Sequence, residues 1–150
     1  MVTGGSGPGP PGPGGGFELL EHTADIGIRA RGGSLEEVFE HATEGLAEVL
    51  GALHPWGSGE PVKVEVSAGD PGGLLVDWLN EVLWLLEVGQ AMVTGVRVER
   101  VGEGTASGEV VLAAGGPEPD GTLVKAVTYH RLRAEPDPGG GWLAEVYLDV

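Results

Sequence analysis

The amino-acid sequence predicts an α+β fold in which two helices pack on antiparallel sheet. Only two segments have the apolar spacing of a helix. Alternating apolar and polar residues, which are typical of half-buried strands, recur along most of the remaining chain. Short turns containing Gly or Pro separate many of these segments, so that neighbouring strands can pair antiparallel. The predicted order of elements is ββαβαββββ.

In the first half of the chain, residues 17–21 and 26–31 are predicted strands. The first helix is expected to begin at Ser34, whose hydroxyl can accept a hydrogen bond from the first turn while Glu37 reaches back in a capping box. Gly51 is a plausible end of this helix. Its outward face is predicted to carry the acidic residues Glu36, Glu40, Glu44 and Glu48.

The second half begins with a predicted strand at residues 62–67 and a turn at residues 70–73. Residues 74–88 form the second predicted helix, which is apolar around most of its circumference and is therefore expected to be deeply buried, against a sheet. The remaining chain is predicted to form two hairpins, with a loop over residues 114–121 between them. Their strands are expected at residues 92–101, 107–113, 122–134 and 142–150.

The 150-residue chain is strongly acidic, and its composition excludes several kinds of site. Lys and Arg total 8 while Asp and Glu total 23, which gives a net charge of −15. Direct nucleic-acid binding is not expected, because it requires clustered Lys and Arg. The absence of cysteine excludes disulfides, thiolate zinc sites and cysteine nucleophiles. The charge suits a cation or a basic protein partner, although it is equally consistent with solubility alone.

The N-terminal segment is not expected to belong to the fold. Residues 1–16 are almost all Gly and Pro, which predicts a disordered tail followed by one folded domain over residues 17–150. The N-terminus lacks the pattern of a signal peptide. The most apolar run, residues 74–88, contains polar residues and is short for a membrane span. The sequence therefore predicts a soluble cytoplasmic protein.

Common catalytic motifs are missing. The chain has no GxxxxGK[ST] loop, no HExxH and no GxSxG. The four histidines do not have the spacing of metal ligands, and His41, in the first helix among glutamates, is predicted to be an ordinary surface residue. The chain is therefore not expected to be an enzyme on its own.

Two aspartates lie at unusual places. Asp25 ends the turn between the first two strands, where an Asp commonly caps the turn through its side chain. Asp149 is the penultimate residue, where chain ends are often frayed, and Val150 adds main-chain oxygens beside it. If the last strand is held in the sheet, these three residues would offer oxygen ligands of the kind that Ca²⁺ takes. The residue pattern alone does not bring Asp25 to the other two.

Lys125 is one of only two lysines, the other being Lys63. On a strand it would share a face with Val127 and Tyr129. It could be a charge that discourages aggregation at a sheet edge. It could instead form a specific ion pair or contact a phosphate at a site.

Four motifs in order resemble the archease family. They are residues 17–28, FELLEHTADIGI; residues 34–40, SLEEVFE; residues 124–130, VKAVTYH; and residues 146–150, VYLDV. Their order and spacing agree with the family over residues 17–150, apart from two glycine-rich loops. The Gly/Pro tail lies outside the family pattern.

The resemblance implies an α+β protein that activates an RtcB-type RNA ligase, chiefly in tRNA splicing. Such ligases join RNA ends with a 2′,3′-cyclic or 3′-phosphate to a 5′-hydroxyl, after GTP-dependent guanylylation of their own histidine. The family promotes that guanylylation, allows multiple turnover and can broaden nucleotide acceptance. The resemblance also implies a divalent-metal site of Ca²⁺ type with ligands Asp25, Asp149 and Val150, a functional Lys125, and His22 as a residue that could support the ligands.

The resulting hypothesis is that the Asp25/Asp149 pair docks at the metal and nucleotide pocket of the ligase, where Lys125 contacts a phosphate or holds the acidic pair together. Three alternatives remain. A general chaperone predicts exposed apolar surface. A metal-dependent hydrolase would need a general acid or base, for which only His22 is nearby in sequence. A structural domain without a site predicts that Asp25 and Asp149 lie far apart.

Overall fold

The computed structural model describes residues 16–21, 25–115 and 121–150, so residues 1–15 of the predicted tail lie outside the described residues. The predicted α+β order ββαβαββββ is confirmed. The strands are β1 (Phe17–Glu21), β2 (Asp25–Gly32), β3 (Glu60–Ser67), β4 (Ala91–Gly102), β5 (Thr105–Ala114), β6 (Ala126–Pro136) and β7 (Trp142–Asp149), and the helices are α1 (Leu35–Leu50) and α2 (Pro71–Gly89).

The strands form two antiparallel sheets, and the helices pack against both. One sheet has the order β1-β2-β7-β6 and the other β3-β5-β4. Helix α1 contacts β2 and β4, while α2 contacts β6 and all three strands of the smaller sheet. Contact on two sides explains why α2 is apolar around most of its circumference. Among the described residues, no helix combines the length and apolarity needed to cross a membrane.

The beginning of α1 follows the prediction closely. Ser34 Oγ accepts a hydrogen bond from Glu37 N at 3.2 Å, and Glu37 Oε1 accepts one from Gly33 N at 2.7 Å. The first bond satisfies a main-chain donor that a helix start leaves without an intrahelical partner, and the second ties Glu37 back to the residue before the N-cap. Gly51 follows the helix in the left-handed conformation, with φ of 70°, which glycine adopts without steric cost.

The predicted turn at residues 70–73 is wrong, because this segment is the beginning of α2. Asp70 is the N-cap, and its Oδ1 accepts from Gly73 N at 2.7 Å. Pro71 then occupies the first helical position, where its missing N–H costs nothing and its fixed φ suits the helix. The residue types that mark a turn also mark a helix start.

Two glutamates predicted to face outward on α1 instead bind the backbone of β4, an edge strand of the smaller sheet. Glu40 Oε2 accepts from Val98 N and Glu36 Oε2 from Val101 N, each at 2.9 Å. His41 is likewise not an ordinary surface residue, because it is half-buried and its Nδ1 lies 2.6 Å from Arg31 O. The amphipathic pattern of α1 could not reveal that a second sheet lies along its polar side.

Candidate functional site

The antiparallel register of the larger sheet brings the two predicted aspartates together. Asp25, at the start of β2, lies directly opposite Asp149, at the end of β7, and Asp149 also lies opposite Ala126 of β6. Directly opposite residues project from the same face of a sheet with Cβ atoms about 4.5–5.5 Å apart. The alternative of a structural domain predicted distant aspartates, and the observed register contradicts that expectation.

The environment of Asp25 is electrostatically unfavourable without a further partner. Its Oδ1 is buried and accepts no hydrogen bond from any described residue. A buried polar atom left without a hydrogen bond costs about 1–3 kcal/mol. Like charges placed directly opposite each other on a sheet also destabilise it. A cation between Asp25 and Asp149 would relieve both costs.

The residues at this sheet end fit a hard cation by donor type. Asp25 and Asp149 supply carboxylate oxygens, and the adjacent Val150, which is 38% exposed, supplies main-chain oxygens. Within the described ranges, no group of three or more His, Asp or Glu side chains is placed to hold a metal ion. The remaining ligands would therefore have to be main-chain oxygens or water, as Ca²⁺ commonly accepts. His22 lies outside the described residues.

Lys125 borders the acidic pair. Its main-chain N–H donates to Asp149 O at 2.7 Å, while its side chain is exposed and forms no ion pair within the described part of the chain. The expectation that Lys125 lies on a strand is wrong by one residue, because β6 begins at Ala126. Val127 is 3% exposed and Tyr129 is 60% exposed, and both lie on the side of β6 that faces α2.

Asn80 of α2 holds the beginning of β6 next to the site. Its Nδ2 donates to Val127 O, and its Oδ1 accepts from Val127 N, both at 2.9 Å. The side-chain amide thus pairs with this edge strand as a neighbouring strand would. In the sequence Asn80 is one of the polar residues that interrupt the apolar run 74–88, and a lone amide in a buried helix is a signal for such a contact.

A buried charge network lies on the same sheet face, farther along β2 and β7. Glu145 is 5% exposed, and its Oε2 accepts from Arg29 Nε at 2.7 Å and from Arg133 Nη1 at 3.2 Å. Between this network and the acidic pair, the ring of Tyr147 lies over Gly27, where a Cβ would come within 2.6 Å of the ring. The alternation of apolar and polar residues along these strands does not reveal the network, because its charged residues resemble an ordinary solvent-facing row.

Comparison with known proteins identifies the family. Residues 17–150 match the model of the Archease protein family (MTH1598/TM1083). The chain belongs to the archease family. The resemblance inferred from the four sequence motifs is thereby confirmed.

Several archeases are similar to this chain over most of their length. Protein archease of Methanosarcina mazei is 37% identical over 140 residues, covering 89% of this chain and 95% of the relative. Protein archease of Thermococcus gammatolerans is 39% identical over 142 residues, covering 89% and 98%.

Two solved structures have the same fold. The solution structure of Methanobacterium thermoautotrophicum protein 1598 is 31% identical, with a TM-score of 0.69 over 90% of this chain and 99% of that chain. The crystal structure of an archease from Thermotoga maritima, described as a possible chaperone, is 26% identical, with a TM-score of 0.62 over 87% and 94%.

Proposed function

We propose that this chain activates an RtcB-type RNA ligase in tRNA splicing. It promotes guanylylation of the ligase and multiple turnover, widens the range of nucleotides that the ligase accepts, and acts in the cytoplasm as a protein cofactor that is not itself catalytic. Membership of the archease family supports this proposal. The observation that carries it is the cross-strand pair of Asp25 and Asp149, with a buried carboxylate oxygen that has no partner among the described residues.

In this proposal Asp25, Asp149 and the main-chain oxygens of Val150 hold a divalent cation, Ca²⁺ by donor type. A bound divalent cation would neutralise the two negative charges of the acidic pair and could take an anionic oxygen as a further ligand. Asp149 is exposed, so this end of the sheet is accessible to another protein.

The neighbouring side chains have separate roles in the proposal. Lys125, whose main-chain N–H binds Asp149 O, carries an exposed ammonium group that can contact a phosphate. Asn80 keeps β6, and with it the segment that carries Lys125, in position through its two bonds to Val127. The net charge of −15 favours approach to an electropositive pocket that holds GTP and RNA phosphates.

The proposal is tested by multiple-turnover RNA ligation with limiting ligase, with and without the wild-type protein. We expect a rise in turnover and in guanylylated ligase. Asp25→Asn and Asp149→Asn should each reduce this activation by about tenfold or more, a loss of about 1.4 kcal/mol. Glu99→Gln, at an exposed position of β4, is the matched control and should activate as wild type does.

Full activation by the double variant Asp25→Ala, Asp149→Ala would refute the proposal. Two further assays distinguish the alternatives. Phosphoester hydrolysis by the purified chain that is lost with a chelator would favour a metal-dependent hydrolase. Protection of unrelated proteins from aggregation, without any effect on the ligase, would favour a general chaperone.

A further inference from the structure

Helix α2 is largely buried, but one of its sides carries a stripe of more exposed residues. Asp77, Glu81, Trp84 and Val88 follow one another at spacings of three or four residues and therefore lie on one side of the helix. Trp84 is 55% exposed and Val88 is 64% exposed. Nearly all other apolar residues of α2 are buried against the two sheets, so these exposed apolar residues need an explanation of their own.

An open groove of about 660 Å³ runs along this stripe. The groove is lined by the end of β3, by two carboxylates, by one amide and by one indole. These residues are Val66, Ser67, Asp77, Asn80, Glu81 and Trp84. Tyr129 borders the groove, because its hydroxyl donates to Asp77 Oδ1 at 3.1 Å, a bond that raises the pKa of Tyr129. We call this surface, defined by its lining residues, the α2 groove.

The α2 groove and the acidic pair lie near the same end of β6, the edge strand of the larger sheet, but on its two opposite faces, since Asp149 alternates along β7 with the core residue Leu148. Helix α2 runs antiparallel to β6, since Asp77 binds Tyr129 and, farther along the helix, Asn80 binds Val127. Four helical residues advance about 6 Å, which equals about two strand residues. Trp84 therefore lies level with Lys125, at the end of β6 where the acidic pair lies.

The acidic pair is too small to form a stable protein interface by itself. Specific complexes bury roughly 800 Å² on each partner, so a partner bound at Asp25 and Asp149 must also contact neighbouring surface. Tryptophan is enriched among the residues that dominate binding energy when a partner encloses them. The nearby carboxylates of Asp77 and Glu81 are complementary to Lys or Arg.

We propose that the α2 groove is a second contact surface for the ligase. It takes a basic segment of that protein, in which Lys or Arg side chains pair with Asp77 and Glu81 and aliphatic groups cover Trp84. This inference rests on the proposed function and adds to it a division of roles: the α2 groove supplies affinity, whereas the acidic pair supplies activation.

The test measures affinity and activation separately, by calorimetric titration of the ligase and by turnover at saturating activator. Trp84→Ala should raise Kd on the order of tenfold or more, while turnover at saturation stays near the wild-type value. Asp25→Asn should show the opposite result, with lost turnover at saturation and a smaller change in Kd. Trp56→Ala is the matched control, because Trp56 is 89% exposed and lies between α1 and β3, away from the α2 groove.

Charge reversal provides a second and independent variant. Glu81→Lys should weaken binding, whereas Glu48→Lys, at an exposed position of α1, should bind as wild type does. Wild-type affinity in both Trp84→Ala and Glu81→Lys, with a wild-type protein that activates, would overturn this inference alone. A wild-type protein that neither binds nor activates the ligase would overturn the proposed function and this inference together.

Discussion

Asp25 combines two properties that each lower stability in a sheet: a buried oxygen without a hydrogen bond from the described residues, and an aspartate directly opposite. Neither property helps the fold. A capping Asp in a turn would accept hydrogen bonds from nearby main-chain N–H groups, and Oδ1 accepts none from the described residues. The simpler explanation of Asp25 as a turn cap therefore leaves this oxygen unexplained.

We expect the stability of the Asp25→Asn variant, relative to wild type, to depend on whether a cation is present. In chelator, the variant should be as stable as wild type or more stable, because the substitution removes repulsion from Asp149. In millimolar Ca²⁺ the wild type should gain stability by preferential binding to the folded state, about 2.7 kcal/mol at a concentration one hundred times Kd. Thermal unfolding with and without Ca²⁺ measures both effects.

Glu99→Gln serves as the control and should respond to Ca²⁺ as wild type does. An equal thermal shift by Ca²⁺ in wild type and in Asp25→Asn would exclude Asp25 as a ligand.

Glu145 is a buried anion that pairs with two guanidinium groups. Glu145→Gln keeps the size of the side chain but removes the charge that pairs with Arg29 and Arg133. Breaking a buried ion pair costs about 3–5 kcal/mol of stability. Because both arginines are partly exposed, we expect the free energy of unfolding to fall by about 2 kcal/mol. Urea unfolding measures this loss. Glu109→Gln, on β5, is a control outside this network, and an unchanged midpoint in Glu145→Gln would show that the network does not stabilise the fold.

At the scale of elements, the polar side of α1 protects an edge of the smaller sheet. The carboxylates of Glu36 and Glu40 bind main-chain N–H groups of β4 that face away from β5. Exposed strand edges are templates for pairing with other chains. The helix therefore contributes apolar side chains to the core and hydrogen-bond acceptors to a strand edge.

Removal of these two acceptors should lower stability and promote association. We expect the double variant Glu36→Ala, Glu40→Ala to lose about 1–2 kcal/mol for each N–H group left unpaired, and to self-associate through β4. Denaturant unfolding and analytical ultracentrifugation measure the two effects. Glu48→Ala, at an exposed position of the same helix, should change neither; a stable, monomeric double variant would contradict this role.

At the scale of the whole molecule, the net charge of −15 should govern the rate of association with a basic partner. Under the proposed function, the association rate constant with the ligase should fall several-fold as salt rises from about 0.05 M to 0.5 M, because the Debye length shortens from more than 10 Å to less than 5 Å. The dissociation rate constant should change less. Stopped-flow measurements separate the two rates, and a salt-independent association rate would exclude electrostatic steering.

Local chemistry accounts for what could be predicted from the sequence. Apolar periodicity and residues such as Ser34 and Gly51 act within one or two turns of chain, so the number, type and order of the elements followed from the sequence. The predicted boundaries of elements were wrong where the same residue types mark two kinds of structure. Asp70 and Pro71, for example, begin a helix and not a turn. The four family motifs supplied the family and the candidate residues Asp25, Lys125 and Asp149.

Long-range contacts were decided only by the tertiary structure. The register of β2 against β7 places Asp25 opposite Asp149, although these residues lie near opposite ends of the domain. The packing of both helices against two sheets turns Glu36 toward β4 and leaves Trp84 exposed on α2. Periodicity defines the faces of an element but not its neighbours, because those depend on the free energy of the whole packed chain.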